Sequence, residues 1–295
     1  MNNFLPIQDK KIGILGAGSS GLAAAKLAYK LGANVFITDL NKKNKVNIKG
    51  IESEFGKHSN KILDSDFIIK SPGISRKSNI MKIILNSAIP IVSELEFASW
   101  FSKSFIIALT GTNGKTTTVE LINQILRDYG LKTFLGGNIG IPFSKNVLDE
   151  INSTKNQKHN FHVLEVSSFQ LEDIKYFKPN ISIILNITPD HLDRYNSFKE
   201  YLDTKLNILI NQDKDCYAII NNDDIQISDK KYNTNIISFS LLEDKVIINN
   251  SIKLINVSNT KLTGKHNFQN IAAASIASDL CGVKKNSIIN TINNF

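Results

Sequence analysis

The 295-residue sequence has few of the features that mark secreted, thiolate-metal or membrane proteins. Its two cysteines, Cys216 and Cys281, form no C-x-x-C pair, which argues against a disulfide framework or a thiolate metal site and favours a reducing compartment. No apolar run is long enough to cross a bilayer, and the first six residues lack the basic and apolar regions of a signal peptide. These absences predict a cytoplasmic protein with no membrane insertion.

Arginine is also scarce. The net charge of +8 comes almost entirely from lysines scattered along the chain, because the only arginines are Arg76, Arg127 and Arg194. A nucleic-acid-binding surface needs its basic residues clustered on one face. We therefore predict no nucleic-acid partner and expect the lysines to be solvated. With 42% hydrophobic residues, the chain is long enough to bury a core and to form about two domains.

Strand and helix patterns alternate along the chain, which predicts an α/β fold with parallel sheets. In the first part we predict strands at 11–15, 34–38, 67–69 and 90–92 and helices at 21–31 and 80–86. In the second part we predict strands at 105–109, 161–164, 181–185, 216–221 and 235–239, helices at 117–129, 199–210 and 266–280, and a turn at 249–250. We place the domain boundary near residue 103, giving domains at 1–103 and 104–295.

The second domain opens with a strand, a glycine-rich loop and a helix. The loop is Gly111-Thr112-Asn113-Gly114-Lys115-Thr116-Thr117, directly after the apolar run 105–109. Glycines let backbone N–H groups point at phosphate oxygens, Lys115 supplies a positive charge, and the Thr116 hydroxyl can ligate a phosphate-bound Mg²⁺. Leu109 stands where the general P-loop pattern has glycine, so the loop is a variant and does not resemble that of an ordinary kinase or GTPase. We predict a P-loop ATPase-type α/β domain that binds a nucleoside triphosphate.

The first domain contains a second glycine-rich turn. Residues 16–21 match G-x-G-x-x-G between a predicted strand and helix, and Asp39 ends the next strand. Taken alone, this pattern predicts a Rossmann-like domain that binds a nicotinamide dinucleotide. The same loop fits any diphosphate nucleotide, and a tight turn for helix packing is the structural alternative. Ser71-Pro72-Gly73 follows another strand and therefore lies at the same ligand-binding edge.

Polar residues follow further strands of the second domain. Glu165 ends one strand, and Asp190 and His191 come soon after the next. Oxygen ligands suit Mg²⁺, so a site made by Glu165 with Thr116 is chemically reasonable, whereas histidine is a less usual Mg²⁺ ligand. The alternatives are a surface ion pair for Glu165 and a capping role for His191. Asn138, in a glycine-rich loop, could bind a polar substrate or only form a turn.

Four segments occurring in order make the chain recognisable. They are the loop at 110–116, the run Leu164-Glu165-Val166-Ser167-Ser168-Phe169-Gln170-Leu171-Glu172, the run from Asn186 to Tyr195, and Leu262-Thr263-Gly264-Lys265-His266-Asn267. Together they resemble the Mur ligase family, over essentially the whole chain. The Ser-Ser-Phe-Gln-Leu-Glu run, with residues 16–21 and 71–73, resembles the family's D-glutamate-adding members.

This resemblance implies an ATP-dependent ligase of peptidoglycan precursor synthesis, a cytoplasmic monomer that serves cell-wall formation. The substrates would be UDP-N-acetylmuramoyl-L-alanine and D-glutamate. The carboxylate of the first would attack the γ-phosphate of ATP to give an acyl phosphate, and the amine of D-glutamate would then displace phosphate. Positioning and charge neutralisation would supply the catalysis.

The resemblance also assigns residues to roles. Gly111, Thr112, Asn113, Gly114, Lys115, Thr116 and Thr117 would hold the ATP phosphates, with Asn267 and Asn270 near the adenine. Thr116 and Glu165 would hold one Mg²⁺, and His191 would serve a second. Lys205 falls where the family carries a carbamylated lysine, which would act as a carboxylate-like metal ligand. Ser19, Ser20, Asp39 and Gly73 would contact the uridine diphosphate, and Asn138 and His191 the sugar side of the substrate.

The family has a third, C-terminal domain that carries most of the D-glutamate site, and the sequence ends at Phe295 without it. A non-catalytic fragment that binds the UDP-sugar and ATP is therefore one alternative function. An NAD-dependent oxidoreductase is another, although it leaves residues 111–117 unexplained. The related folylpolyglutamate synthetases share the phosphate loop but do not need the UDP-binding domain at 1–103.

Overall fold

The computed structural model describes residues 6–153, 160–191, 193–223, 232–242, 245–248, 251–253 and 260–295. The strands are β1 (Lys11–Leu15), β2 (Asn34–Asp39), β3 (Glu52–Phe55), β4 (Phe67–Lys70), β5 (Ile91–Ser93), β6 (Phe105–Thr110), β7 (Lys132–Gly137), β8 (Asn160–Glu165), β9 (Ile181–Ile184), β10 (Tyr217–Asn221), β11 (Asn235–Leu242), β12 (Lys245–Ile248) and β13 (Ser251–Lys253). The α-helices are α1 (Ser19–Lys30), α2 (Asn79–Asn86), α3 (Glu94–Ser99), α4 (Lys115–Asp128), α5 (Phe143–Asn152), α6 (Ser168–Leu171), α7 (Phe198–Leu206), α8 (Lys265–Leu280) and α9 (Lys285–Asn294). Short 3₁₀ turns occur at Lys42–Asn44, Asn60–Asp64 and Asn207–Leu209.

The described residues form two compact units. The first contains the residues up to 102 together with 141–153 and 169–177. The second contains residues 103–140, 160–168 and those from 178 onward. No helix of the described part of the chain is both long and apolar enough to cross a membrane.

The first unit is built on a five-stranded parallel sheet with the strand order β3-β2-β1-β4-β5. Its central strand, β1, is apolar and buried after Lys11, as expected for a strand with neighbours on both sides. The helix α2 buries Met81 and Ile84 in a cluster with Leu15 and Ile68. Strand order reverses between β1 and β4, so the loops after these two strands flank the position where open α/β sheets bind ligands.

Two glutamates of α3 bind later parts of the chain into the first unit. The buried Glu94 accepts the backbone N–H of Ser144 at 2.5 Å, at the start of α5. The buried Glu96 accepts the backbone N–H groups of residues 175–177 at 2.8–3.0 Å. These bonds reduce the cost of burying the carboxylates, although among the described residues the second carboxylate oxygen of Glu94 has no hydrogen-bond partner.

A buried ion pair holds the segment 169–177 to β4. The Lys70 side chain is 0% exposed, and its Nζ lies 2.9 Å from carboxylate oxygens of both Glu172 and Asp173. Arg76 also pairs with Asp173. Removing one partner of such a cluster would leave an uncompensated buried charge, so we expect these contacts to fix the segment in place.

The second unit contains an eight-stranded sheet with the order β13-β12-β11-β10-β9-β6-β8-β7. It is parallel from β7 to β11, and β12 and β13 are antiparallel additions. The helices α4, α8 and α9 contact one another, and their apolar side chains form a core with the central strands. The carboxyl ends of β6, β7, β8 and β9 share one edge, which positions the candidate site.

The predicted α/β class is confirmed, and the predicted strands and helices are present with ends that differ by a few residues. The helix after the phosphate loop begins at Lys115 rather than Thr117. The predicted turn at 249–250 lies outside the described residues. The sequence did not predict the edge strands β3 and β7, the strands β12 and β13, or the helices α3, α5, α6 and α9. Edge strands carry the partly exposed sequences E-S-E-F and K-T-F-L-G-G, so they lack the buried apolar run that identifies a central strand.

Candidate functional site

The phosphate loop connects β6, a central strand, to the start of α4. Gly114 adopts φ +79° immediately before the helix, a left-handed conformation that favours glycine. A Cβ atom at this position would lie 2.4 Å from Oδ1 of Asn270 on α8. Glycine is therefore required at 114 both by the backbone and by the close approach of α8.

Asn186, the residue two positions after β9, holds the phosphate loop in shape. Its Oδ1 accepts the backbone N–H groups of Thr112 and Asn113 at 3.1 and 2.8 Å. Its Nδ2 donates to the Asn113 carbonyl at 3.0 Å. The sequence analysis did not assign this residue a role. Its position after an apolar strand at the loop's sheet edge was the signal that could have found it.

The Glu165 carboxylate lies between the phosphate loop and Asn138. The Thr116 hydroxyl donates to Glu165 Oε2 at 2.8 Å, and Asn138 Nδ2 donates to Glu165 Oε1 at 3.0 Å. Glu165 is 1% exposed at the end of β8. The structure therefore brings together three of the predicted site residues, and two of them offer the hard oxygen ligands that Mg²⁺ prefers.

Lys115 folds back on its own loop. Its Nζ donates to the Thr112 carbonyl at 2.8 Å. Burial lowers the pKa of Lys115, and the nearby carboxylates of Glu165 and Asp190 act in the opposite direction. The ammonium is thus held against the phosphate loop, at the Thr112 carbonyl.

Lys205 is a buried lysine beside the same loop. It is 2% exposed, and its Nζ donates to the Gly111 carbonyl at 2.8 Å. Burial, followed by the neighbouring charge of Lys115, lowers the pKa of Lys205 to about 7. Such an amine is partly neutral near neutral pH and is therefore nucleophilic, unlike an ordinary surface lysine.

His191 is more exposed than the other predicted metal residues. Its side chain is 48% exposed, with Nε2 3.6 Å from an oxygen of Asp190, and its backbone has φ +53°, which is uncommon for a residue with a side chain. Its ring centroid lies 6.4 Å from that of Tyr201. Across the described ranges, no group of three or more histidine, cysteine and acidic side chains is close enough to hold a metal alone. Nucleotide phosphates and water would have to complete a Mg²⁺ shell here, as is usual for this ion.

The two asparagines of α8 differ in position. Asn270 is buried against Gly114, and its Nδ2 lies 3.4 Å from Asn267 Oδ1. Asn267 donates to the Thr263 carbonyl at 2.9 Å. Asn270 therefore supports the phosphate loop directly, a contact that the expected adenine role does not include.

An open cleft of about 350 Å³ lies over the phosphate loop. It is lined by residues 112–117, Asn138, Ile139 and Glu165. This volume lies within the range of small-molecule sites. The loop, Glu165 and Asn138 therefore border one space that can receive a polyphosphate.

The glycine loop of the first unit has the tight geometry that its sequence predicts. Gly16 has φ +97°, and a Cβ atom on Gly21 would lie 1.9 Å from the Gly16 carbonyl oxygen. The Ser71 hydroxyl donates to that same carbonyl at 3.1 Å, which joins the loops after β1 and β4. Around this turn, Ser19 and Gly73 are exposed and Ser20 is half-buried, so all three are accessible to a ligand at the sheet edge.

Asp39 braces the glycine loop. Its carboxylate accepts the N–H groups of Ala17 and Asn41 at 2.7 Å and the Asn44 side chain at 2.9 Å. Burial raises the pKa of Asp39, but the bonds from Ala17, Asn44 and Asn41 outweigh it, so the pKa is lower than usual. Both carboxylate oxygens are engaged within the protein. Its predicted contact with uridine stays a prediction.

A second cleft of about 350 Å³ in the first unit lies at the opposite sheet edge. It is lined by residues at the starts of strands, including Lys11, Asn34 and Glu52. Open parallel sheets bind ligands outside the carboxyl ends of their strands, so the ligand predicted for the glycine loop would bind at the other edge and not in this cleft.

Comparison with protein families gives two matches. Residues 109–278 match the family described as Mur ligase middle domain. Residues 4–93 match the family described as alanine dehydrogenase/PNT, C-terminal domain. The second match covers the Rossmann-like sheet of the first unit.

Relatives of known name align along nearly the whole chain. A UDP-N-acetylmuramoylalanine–D-glutamate ligase from Christiangramia forsetii is 40% identical, over 97% of this chain and 68% of the relative. The enzyme of the same name from Elusimicrobium minutum is 41% identical, over 98% of this chain and 67% of the relative.

Solved structures share the fold at lower identity. A UDP-N-acetylmuramate:L-alanyl-gamma-D-glutamyl-meso-diaminopimelate ligase from Neisseria meningitides has a TM-score of 0.65 at 18% identity, covering 97% of this chain and 98% of that one. A UDP-N-acetylmuramate–alanine ligase from Thermotoga maritima has a TM-score of 0.55 at 22% identity, covering 97% and 68%. At these identities the likeness concerns the fold alone.

Proposed function

The chain belongs to the Mur ligase family, and we propose that it is the ATP-dependent ligase that adds D-glutamate to UDP-N-acetylmuramoyl-L-alanine. The observation that carries this proposal is the 40–41% identity to ligases of that name over 97–98% of the chain. The phosphate loop bordered by Glu165 and Asn138 supplies a site of suitable chemistry. The reaction would serve the synthesis of peptidoglycan precursors.

The oxidoreductase alternative explains less of the chain. The dehydrogenase-type match ends at residue 93 and covers a nucleotide-binding fold that many functions share. It gives no role to residues 111–117 or to the carboxylate of Glu165. The glycine loop at 16–21 would accept the diphosphate of a UDP-sugar as readily as that of a dinucleotide, because both are bound by backbone N–H groups at a helix start.

In the proposed reaction, the phosphate loop positions ATP for attack by the substrate carboxylate. Backbone N–H groups of residues 111–117 and the start of α4 would bind the phosphate oxygens. Lys115 would leave the Thr112 carbonyl and pair with the transferred phosphate, where it would stabilise the developing charge. Attack would release ADP and give an acyl phosphate, and the amine of D-glutamate would displace phosphate from it.

Thr116 and Glu165 are the residues that would hold Mg²⁺. Their side-chain oxygens lie 2.8 Å apart and face the cleft, a donor pair of the kind that Mg²⁺ uses together with phosphate oxygens and water. When bound, the ion would neutralise charge on the β- and γ-phosphates. His191 and Lys205 would be ligands of a second Mg²⁺. Binding of this second ion depends on the modification of Lys205.

We propose that Lys205 is carbamylated. The ammonium would first lose a proton, and the neutral amine would then attack CO₂, forming an N–C bond, turning one C=O into a C–O⁻ and releasing a second proton. A cation would thus become a carboxylate-like anionic ligand. The lowered pKa makes the neutral amine available near pH 7. An unmodified ammonium would repel a nearby Mg²⁺.

The carbamate prediction can be measured directly. With ¹³C-bicarbonate, we expect the wild-type protein to show a carbamate ¹³C resonance that Lys205→Arg abolishes, because the guanidinium does not deprotonate at accessible pH. Lys178→Arg is the matched control, since its ammonium is bonded to Asp213 and that bond raises its pKa. A resonance that persists in Lys205→Arg would place the modification elsewhere.

In the first unit we propose that Ser19, Ser20 and Gly73 contact the UDP group while Asp39 keeps the glycine loop in shape. Asn138 and His191 would face the sugar side of the substrate.

We further propose that the protein acts as a monomer in the cytoplasm. Light scattering during gel filtration tests the monomer, and a mass of twice 32.8 kDa would contradict it.

Calorimetric titration tests the proposed function. We expect the chain to bind UDP-N-acetylmuramoyl-L-alanine and not NADH; the reverse result would make the first unit a dinucleotide site.

We expect Lys115→Ala to weaken binding of a magnesium–ATP analogue by at least about tenfold, about 1.4 kcal/mol, while binding of the UDP-sugar is kept. Release of phosphate on adding D-glutamate separates a ligase from a non-catalytic binding protein.

A further inference from the structure

Tyr201 is a buried side chain between Lys205 and the phosphate loop, and the proposed reaction gives it no role. It is 1% exposed, on the first turn of α7. Lys205 follows four positions later on the same helix. Side chains at this spacing are neighbours on one helix face, so the tyrosine ring and the lysine can act on each other.

The ring of Tyr201 confines the end of Lys205. Nζ lies 4.9 Å from the ring centroid, within the range of a cation–π contact. The same atom donates to the Gly111 carbonyl at 2.8 Å. The flexible four-carbon side chain is therefore restrained by the ring and by the loop carbonyl, which together set where its terminal nitrogen lies.

The hydroxyl of Tyr201 contacts the phosphate loop. Its oxygen lies 3.3 Å from the hydroxyl oxygen of Thr112. Thr112 also accepts the N–H of Thr188 at 3.0 Å and lies 3.2 Å from the Thr188 carbonyl. When the one hydroxyl hydrogen of Thr112 serves that carbonyl, Tyr201 donates to Thr112; otherwise Thr112 donates to Tyr201, and the two hydroxyls are bonded in either arrangement.

Other aromatic side chains fix the ring itself. Its centroid is 5.3 Å from that of Tyr195, 6.4 Å from that of Phe198 and 6.4 Å from that of His191. Tyr195 is also buried. A ring packed in this way has few alternative positions, so the positions of Lys205 Nζ and of the Thr112 hydroxyl relative to it are restrained as well.

We infer that Tyr201 is a positioning residue whose ring orients Lys205 and whose hydroxyl holds Thr112 in the nucleotide-binding form of the loop. This inference rests on the proposed ATP site and on the proposed role of Lys205. Its two parts are separable, because Tyr201→Phe removes only the hydroxyl and Tyr201→Leu removes the ring as well.

Nucleotide binding tests the hydroxyl. We expect Tyr201→Phe to weaken binding of magnesium and AMP-PNP about threefold to tenfold in calorimetry, the effect of losing one hydrogen bond. Tyr217→Phe makes the same chemical change at the start of β10, away from the loop, and should bind as the wild type does. Equal affinities for the wild type and Tyr201→Phe would overturn the hydroxyl's role.

A nuclear magnetic resonance measurement tests the ring. In protein labelled with ¹³Cε-lysine, the Lys205 ε-protons should be shifted upfield by the ring current of Tyr201, and Lys205→Arg assigns them. Tyr201→Phe should keep that shift, and Tyr201→Leu should move the resonance towards those of exposed lysines. If substitution of Tyr201 simply disturbed the structure, Tyr201→Phe would lose the upfield shift as well. An unchanged resonance in Tyr201→Leu would overturn the ring's role.

These results remain distinguishable from failure of the proposed function. If the wild type does not bind the ATP analogue, the ATP assignment fails, and the ring's role is still decided by the Lys205 resonance. If the wild type shows no carbamate with ¹³C-bicarbonate, only the modification of Lys205 fails. Circular dichroism melting shows whether the Tyr201→Leu protein folds. If it does not, Tyr201→Phe still decides the role of the hydroxyl, and Tyr201→Trp, which keeps an aromatic face, replaces the leucine variant. Loss of the upfield shift of the Lys205 resonance in Tyr201→Trp would count against the role of the ring.

Discussion

At the scale of the residue, the site depends on backbone positions as much as on charged side chains. Gly114 is in a left-handed conformation and in close approach to Asn270, so its missing Cβ is what lets α8 support the phosphate loop. Asn186 adds three hydrogen bonds to the same loop. These contacts hold the backbone of the loop in a defined shape.

The chain offers a matched pair of glycines to test this point. Gly114 and Gly130 both have positive φ, but a Cβ at Gly130 would meet nothing within 4 Å. We expect Gly130→Ala to cost about 1–2 kcal/mol of folding stability from backbone strain alone. Gly114→Ala should cost more and should reduce binding of the ATP analogue by more than about tenfold. Urea unfolding and calorimetry measure the two effects; equal behaviour of the two variants would contradict the contact with Asn270.

At the scale of the element, α3 attaches later segments of the chain to the first unit. Glu94 receives the start of α5, and Glu96 receives the backbone of residues 175–177. Both glutamates are fully buried. Short-range sequence patterns do not reveal such attachment, because the partners are separated by 50 to 81 positions along the chain.

The attachment of α5 should make stability depend on pH. Burial raises the pKa of Glu94 from 4.5 to about 7, against the bond from Ser144. The folded state then holds one more proton than the unfolded state between these values. The contribution of Glu94 to stability is therefore fully present below pH 4.5 and is lost as pH rises through 7, by at most about 3 kcal/mol.

Glu94→Gln removes this titration while keeping an oxygen that can accept the Ser144 N–H. We expect the variant to gain stability relative to the wild type as pH increases from 5 to about 8, measured as the difference in free energy of urea unfolding. Glu120→Gln, at an exposed position of α4, should show no such trend. A constant difference for Glu94→Gln across this range would mean that Glu94 titrates normally.

At the scale of the whole molecule, the two glycine-rich loops that we propose bind nucleotides belong to two compact units of one chain. The glycine loop at 16–21 lies in the first unit and the phosphate loop at 111–117 in the second. The chain spans 67–68% of the length of the Christiangramia forsetii and Elusimicrobium minutum relatives. Each unit has its own sheet and buried core, so each ligand should stabilise mainly the unit that binds it.

Hydrogen exchange resolves this expectation along the chain. UDP-N-acetylmuramoyl-L-alanine should slow exchange most at residues 16–21 and 71–73, and the magnesium–ATP analogue most at 111–117, because ligand binding reduces local opening. NADH is the control and should protect neither loop. Protection of residues 16–21 by NADH instead of the UDP-sugar would reverse the assignment of the first unit.

The sequence by itself determined the fold class, the two glycine-rich loops and the family, since these depend on local patterns. Apolar runs predict central strands, and glycines with lysine and threonine at fixed spacing predict a phosphate loop. The sequence also identified Glu165 as a candidate metal ligand. Lys205 was assigned such a role only through the resemblance to the family. The edge strands β3 and β7 were not predicted, because their half-exposed sequences show little periodicity of apolar residues.

Only the tertiary structure decided which distant residues meet. It placed Asn186, Asn270 and Tyr201 around the phosphate loop, and it engaged Asp39 with the glycine loop. It also assigned α5 and residues 169–177 to the first unit. These contacts join residues far apart in the chain, and their energies come from burial and from satisfied polar groups, neither of which a local sequence pattern encodes.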